Sequence, residues 1–367
     1  MPSFDPDAAA KPGAGIFGLP FTRDESRIIL LPVPFDATTS YGGGASGGAE
    51  AIREASAQVD LHDFQFGDVY RAGIFMEESP EHISELSRRA RAHAQPIIAK
   101  GGAEQGDEVT LSKVDSAGEQ VNLHVYNAAA SVLAEAREGG AGGVGGEIPG
   151  LVGGDHSTPF GIIRACAEHV TAKSGNGGAG MGILHLDAHM DLREAFEGFT
   201  WSHASIMYNV MKRIPAVTKL VQIGLRDVGT QELAFAANSG GRIHAHHDLD
   251  WSRRMLDGER FTDLVKNAIE PLPPHVYVSF DIDGLDPSMC PHTGTPVPGG
   301  LSFAQASIVI ELLAKSGRSI VGFDLVEVSP GDGDEGGGGG GGEWDANVGA
   351  RILYKLCGAA VHTSSPR

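Results

Sequence analysis

Residues 181–191 read Met181-Gly182-Ile183-Leu184-His185-Leu186-Asp187-Ala188-His189-Met190-Asp191. An apolar run of strand length opens the stretch, and metal-type ligands in alternate positions close it. Side chains two apart on an extended chain point to the same side, so the spacing lets Asp187, His189 and Asp191 converge on one point. Two further segments repeat the pattern. Val276-Tyr277-Val278-Ser279-Phe280 runs into Asp281-Ile282-Asp283, and Leu151-Val152 runs into Gly153-Gly154-Asp155-His156-Ser157. Buried strands that deliver several carboxylates to one end are costly without a compensating cation. The two imidazoles of His156 and His189 and the four carboxylates of Asp187, Asp191, Asp281 and Asp283 suit two divalent cations sharing ligands. Carboxylates bridge ions roughly 3.5–4 Å apart, an arrangement that activates water.

Around these segments the pattern alternates. Strands are expected at 27–33, 74–76, 181–187, 219–224, 275–281 and 319–324. Helices are expected at 49–57, 81–98, 119–137, 159–170, 203–213, 229–238, 260–269, 303–315 and 345–357. Such alternation predicts an α/β fold, a parallel sheet with helices on both faces. Ligands in such sheets bind beyond the C-terminal strand ends, where all three metal-type segments fall. Residues 1–24 read as an N-terminal arm, and 25–367 as a single domain. Gly-rich stretches at 139–146, 175–182 and 336–342 read as surface insertions. No Lys-Ser/Thr follows any of them, which argues against a phosphate cradle. His244, His246 and His247 lack partners at ligand spacing and read as a solvated loop. Arg226 and Asp227 read as a structural ion pair.

The chain has 367 residues, 41% hydrophobic and 20% charged, in the range of a globular protein. A net charge of −19 argues against nucleic acid or an anionic membrane surface as partner. It is compatible with a small cationic substrate. Three cysteines, Cys166, Cys290 and Cys357, are too few for a disulfide framework and read as reduced thiols. Cys290 follows the third metal-type segment, so an active-site role is conceivable for it. No secretory signal or apolar run of membrane-spanning length is evident, so a cytoplasmic location is the expectation.

The three segments resemble the signatures of the ureohydrolase superfamily: arginases, agmatinases, formiminoglutamases and guanidine hydrolases. Gln222-Ile223-Gly224-Leu225-Arg226-Asp227, Asp281-Ile282-Asp283-Gly284-Leu285-Asp286-Pro287 and Asp324-Leu325-Val326-Glu327-Val328-Ser329-Pro330 extend the match in family order from about 25 to 358. The resemblance implies a three-layer α-β-α arginase-like fold with a mostly parallel central sheet. It implies two divalent ions, Mn2+ or Ni2+, a trimer or hexamer of identical chains, and cleavage of a guanidino C–N bond to release urea. His156 and Asp191 would hold one ion, His189 and Asp283 the other, with Asp187 and Asp281 between them. Asp191 would also relay a proton. His203, in Trp201-Ser202-His203-Ala204, resembles the family's proton-shuttling histidine, and Glu327 the glutamate that holds the substrate's guanidinium. His185 and Asp155 would support the ligands from behind.

The segment after Asp191 departs from arginases, which hold the substrate's α-amino acid head with Asn and small hydroxyl residues there. This chain has Leu192-Arg193-Glu194-Ala195-Phe196-Glu197-Gly198-Phe199. Phe196, Phe199 and Trp201 are expected to narrow the pocket and stack on a small cation. Arg193 would oppose a cationic tail if it pointed inward, and the segments 60–64, 72–76 and 343–351 look like the long agmatinase-like branch that includes guanidine hydrolases, so free guanidine is the first substrate expected, agmatine the second and L-arginine a more distant alternative. Two other readings differ in kind. One is a silent subunit supporting an active paralogue. The other is a deacetylase, whose single zinc needs fewer ligands than the six present.

Overall fold

The computed structural model of the chain describes residues 4–11, 13–134, 146–174, 180–331 and 343–364. Its centre is an eight-stranded sheet, ordered β2-β1-β3-β8-β7-β4-β5-β6. The strands are β1 Ile28–Val33, β2 Ile74–Met76, β3 Ile148–Gly153, β4 Met181–Leu186, β5 Val217–Leu225, β6 Ile243–His247, β7 His275–Asp281 and β8 Ser319–Val326. Every pairing between neighbours is parallel. Parallel strands need crossovers, and helices supply them. The helices are α1 Gly48–Ser56, α2 Glu81–Ile98, α3 Glu108–Ala134, α4 Phe160–Ser174, α5 Ile206–Arg213, α6 Thr230–Ala237, α7 Asp248–Leu256, α8 Phe261–Ile269, α9 Phe303–Lys315 and α10 Glu343–Ser364.

Alternation along the strands divides the core into two layers. Ile28 and Leu30 of β1, with Leu184 and Leu186 of β4, pack with Ile52, Val265, Ile310 and Leu353 from α1, α8, α9 and α10. Ile29, Leu31, Met181 and Ile183 face the other way, onto Ile83, Val121, Ile163 and Met207 from α2, α3, α4 and α5. With both faces covered, β3 and β4 are buried at every position, which is why they read as continuous apolar runs. Among the described residues no helix is long and apolar enough to cross a membrane.

Four readings change. Residues 243–247 are the edge strand β6 and not a solvated loop. His246 is half-buried against Trp251, ring centroids 5.5 Å apart, and burial lowers its pKa to about 4. The polar residues hid a strand because α7 covers one side of an edge. Helix α3 starts eleven residues before the expected 119 (119 less 108) and runs through Gly118. That glycine has a packing cause: a Cβ there would lie 2.6 Å from Trp201 Cβ. Arg226 does not pair with Asp227; its guanidinium donates to the carbonyls of Gly224, Asp283, Leu285 and Val297. The segment read as an arm is anchored in part. Ile16, Phe17 and Leu19 are buried, and the Phe17 ring meets Tyr354 at 4.8 Å. The Gly-rich stretches at 139–145, 175–179 and 336–342 lie outside the described residues.

Candidate metal centre

Strands β3, β8, β7 and β4 are consecutive in the sheet, so their C-terminal ends lie side by side. His156 follows β3, Glu327 follows β8, Asp281 and Asp283 end and follow β7, and Asp187, His189 and Asp191 follow β4. Topology thus gathers residues up to 171 positions apart. His156 N, for example, donates to Glu327 Oε1 at 2.9 Å.

The convergence within each segment has a different cause from the one expected. Beyond Leu186 the chain is no longer extended, and Asp191 takes a left-handed φ of 54°. After Asp281 comes a short helical turn, Ile282–Gly284, in which Asp281 Oδ1 accepts from Asp283 N at 2.8 Å. Turns, not strand alternation, aim these carboxylates. Glu327 is left-handed as well, with φ 61°. Non-glycine residues in that region are strained, and such strain concentrates where a side chain must be aimed.

The six predicted ligands come together, all buried but the partly exposed His189, around two groups that share Asp187: one about His156, the other about His189. His156 Nδ1 lies 3.0 Å from Asp187 Oδ2, 3.1 Å from Asp191 Oδ2 and 3.1 Å from Asp281 Oδ2. His189 Nδ1 lies 3.1 Å from Asp283 Oδ2 and 3.4 Å from Asp187 Oδ1. Asp187 therefore turns one oxygen to each group. Despite these short distances, His156 Nδ1 and Asp187 Oδ2 make no aligned hydrogen bond. They point at a common centre and not at each other, as ligands of a cation do. His185 Nε2 sits 2.9 Å from Asp187 Oδ2 and belongs geometrically to the first group. Its Nδ1 faces Gln222 Nε2 at 2.9 Å, which makes it an acceptor there and places its proton on Nε2.

Without a cation the charges conflict. Burial and the Asp187 charge push the Asp191 carboxyl up to about 7. Burial, then the charges of Asp283 and Asp187, raise Asp281 well above the carboxylate range. Burial opposes a charged His189, yet the Asp283 charge and the contacts with Asp187 and Asp283 lift its pKa to about 12. In His156 burial is likewise outweighed by Asp187, Asp191 and Asp281, and the pKa rises well above 6.5. All these shifts mean protons held near neutral pH by groups that must lose them to bind a metal. The donor set fits two divalent ions. Metal affinity should therefore fall as pH falls, and loading near pH 7.5 should release about one proton or more per ion. Titration calorimetry in buffers of different ionisation enthalpy measures this. A buffer-independent heat would contradict the ligand set.

Further residues hold the cluster in place. Ser279 Oγ lies 3.0 Å from His156 Nε2 and donates to Asp324 Oδ1 at 3.0 Å. Thr295 Oγ1 reaches Asp283 Oδ2 at 3.3 Å. Ser279, Asp324, Gln222 and Thr295 escaped the sequence reading as site residues. Their signal was present: polar residues inside or just after apolar strands, where a buried polar group needs a partner. Asp155 Oδ1 accepts from Ser157 N at 3.0 Å and its Oδ2 takes long bonds from Thr38 and Thr39, so it ties the His156 loop to the loop after β1. Cys290 is fully buried with Sγ on Ile282 O at 3.2 Å, under the turn that carries Asp283, and burial pushes its thiol up.

His203 is buried, with Nε2 3.3 Å from Ser40 Oγ and Nδ1 3.8 Å from Glu327 Oε1. Burial, then the charges of His189 and His156, lower its pKa to about 3 in the metal-free protein. Glu327 Oε2 is buried without a partner, and a Cβ on Gly294 would lie 3.3 Å from it. Of the aromatic residues expected around the pocket, only Phe196 reaches it, its ring 6.2 Å from that of His203. Phe199 is fully buried among Ala94, Ile97 and Val114, and Trp201 packs on Phe160.

Comparison with known proteins decides the family. The Arginase family matches residues 26–358. The chain belongs to the arginase family. It is 30% identical over 308 residues to the N(1)-aminopropylagmatine ureohydrolase of Thermus thermophilus, across 84% of each chain. It is 29% identical over 307 residues to the agmatinase of Pyrococcus horikoshii, across 83% of this chain and 84% of that one. The structure of the agmatine ureohydrolase of Thermoplasma volcanium superposes with a TM-score of 0.65 at 21% identity, covering 93% of this chain and 92% of the other, a likeness of fold. This arginase-family chain is thus a hydrolase of guanidino groups on the agmatinase-like branch, and its His/Asp cluster is a candidate metal site.

Proposed function

We propose that the chain is a two-metal ureohydrolase acting on an aminoalkylguanidine of the agmatine type, releasing urea and the corresponding amine. The observation that carries this is Glu327. A carboxylate that is only 2% exposed, strained in backbone and left with one unpartnered oxygen is poised for a planar guanidinium, which donates two parallel N–H bonds. Oε1 already accepts from His156 N, so the substrate's position is tied to the metal cluster through one residue.

His156, Asp187, His189, Asp191, Asp281 and Asp283 would hold the ions, and Mn2+ and Ni2+ both suit oxygen-rich ligation with two imidazoles. When bound, such ions supply a water whose pKa is lowered toward neutrality. Glu327 orients the guanidinium carbon toward the cluster. Asp191, with Oδ2 in the cluster, takes up or relays a proton at that oxygen. His203, between Ser40 and Glu327, passes the proton on toward the leaving nitrogen.

Ranking an amine-tailed substrate above free guanidine reverses the order expected from sequence. That order rested on three aromatic residues narrowing the pocket, and two of them pack elsewhere. It rested also on Arg193, which replaces the arginase-type Asn and would oppose a cationic tail only if it pointed inward. Arg193 lies over the Phe196 ring at 4.5 Å and 3.6 Å from Glu232, so its charge is drawn to a buried carboxylate. The relatives named for agmatine-type substrates support the same order. Free guanidine stays as the second reading because Phe196 does stand beside His203. The test is urea release by Mn2+- or Ni2+-loaded protein from agmatine, N(1)-aminopropylagmatine, guanidine and L-arginine. We expect kcat/KM for one of the first two to exceed the others by about 10-fold or more. Preference for guanidine would restore the earlier order. Urea release from none would overturn the function.

A further inference from the structure

The turn beside the active centre carries an acidic residue that its surroundings do not use. Phe196 and Phe199 exchange backbone hydrogen bonds of 3.1 and 2.9 Å, which closes a tight turn over Glu197 and Gly198. Both central residues have positive φ, 54° and 97°. Such a turn favours Asn-Gly, and glutamate at its first central position is strained without gaining a local hydrogen bond from its side chain. Glu197 Oε2 is buried and has no partner. Burial raises the pKa of this carboxyl, against the opposing pull of Arg91. Arg91 itself donates to the carbonyls of Thr39 and Ala37.

The position of this turn gives the carboxylate a use. Phe196 puts one wall of the turn against His203. The loop that Arg91 anchors puts Ser40 Oγ 3.3 Å from His203 Nε2. Glu197 directly follows Phe196, and the Arg91 charge that acts on its carboxylate belongs to the side chain that holds Thr39, next to Ser40, while one oxygen of that carboxylate is buried without a partner. The cation of the same loop, Arg193, is engaged by Glu232 and Phe196.

We infer that Glu197 sets substrate specificity by receiving the terminal ammonium of an aminoalkyl tail while Glu327 holds the guanidino end. This rests on the agmatine-type reading above and adds the residue that would enforce it. The test compares agmatine with butylguanidine, which has the same chain and no ammonium, on metal-loaded full-length protein. Glu197→Gln should raise KM for agmatine about 10-fold or more and leave its kcat within about twofold, with butylguanidine unchanged. Glu197→Asn relieves the left-handed strain, so it should melt no lower than wild type and yet show the same KM rise. Glu197→Asp should recover part of the agmatine preference. If wild type hydrolyses agmatine and both uncharged variants keep the agmatine-to-butylguanidine ratio, the inference is overturned and the ureohydrolase reading stands. If wild type makes urea from no guanidino compound, both fall together.

Discussion

Asp187→Ala is expected to lose both metal ions and to lower kcat/KM for any guanidino substrate by roughly 10³-fold or more, the scale on which metal-ion catalysis contributes. Asp187 is the one ligand whose two oxygens face different groups, Oδ2 toward His156 at 3.0 Å and Oδ1 toward His189 at 3.4 Å. Removing it weakens both sites at once. The stability response separates a lost ligand from a broken fold. Burial opposes the charge of Asp187, yet His185, His156 and His189 hold it ionised well below the usual carboxylate range, so the metal-free variant should melt below metal-free wild type, and the gain on adding metal is the diagnostic readout. Wild type should gain about 2.7 kcal/mol when metal is present at a hundredfold excess over Kd, and the variant should gain almost none. Elemental analysis and paired melting curves, with and without metal, measure this. A variant that keeps two ions and full activity would refute the assignment.

The fold was legible because both faces of the sheet are covered. Strands such as β4 and β7 could then be written as unbroken apolar runs, and their ends were marked by Asp and His. Edge strand β6, with His244, His246 and His247, carries no such run, since α7 shields only part of it. The candidate ligands were legible as a cluster from residue type and from their place at the ends of apolar strands, not from the alternation first invoked. The backbone that aims them was not: left-handed Asp191 and Glu327 leave no mark in composition, and only the fold shows the strain. The pocket wall was misread for a related reason. Phe196, Phe199 and Trp201 look equivalent in sequence, but the fold brings the Phe196 ring to 6.2 Å from that of His203 and buries Phe199 with Ala94, Ile97 and Val114. Arg226 shows the same limit. Its neighbour Asp227 suggested a pair, whereas the guanidinium closes over carbonyls that only tertiary structure brings within reach.

Glu327→Gln should lower kcat/KM by about 10²- to 10³-fold, because breaking a buried ion pair costs about 3–5 kcal/mol. The choice of glutamine matters. Oε1 accepts from His156 N at 2.9 Å, and an amide oxygen can keep that bond, so the metal loop should hold its shape and metal content should stay at the wild-type level. What changes is the free position. Glutamine can turn an NH2 donor toward the substrate's own N–H groups, where wild type offers a charged acceptor. In the substrate-free, metal-free protein, burial and the Asp155 charge raise the Glu327 pKa well above the carboxylate range, so its charge is a burden there. The variant should accordingly be as stable as wild type or more so. A guanidinium in the pocket favours the ionised form, and that differential binding is what glutamine gives up. The loss should fall on every guanidino substrate alike, whatever its tail, which distinguishes Glu327 from Glu197. Urea-release kinetics on agmatine and guanidine, with metal content measured on the same preparations, decide the point. Wild-type kcat/KM in Glu327→Gln would show that the unpartnered oxygen does not hold the guanidinium.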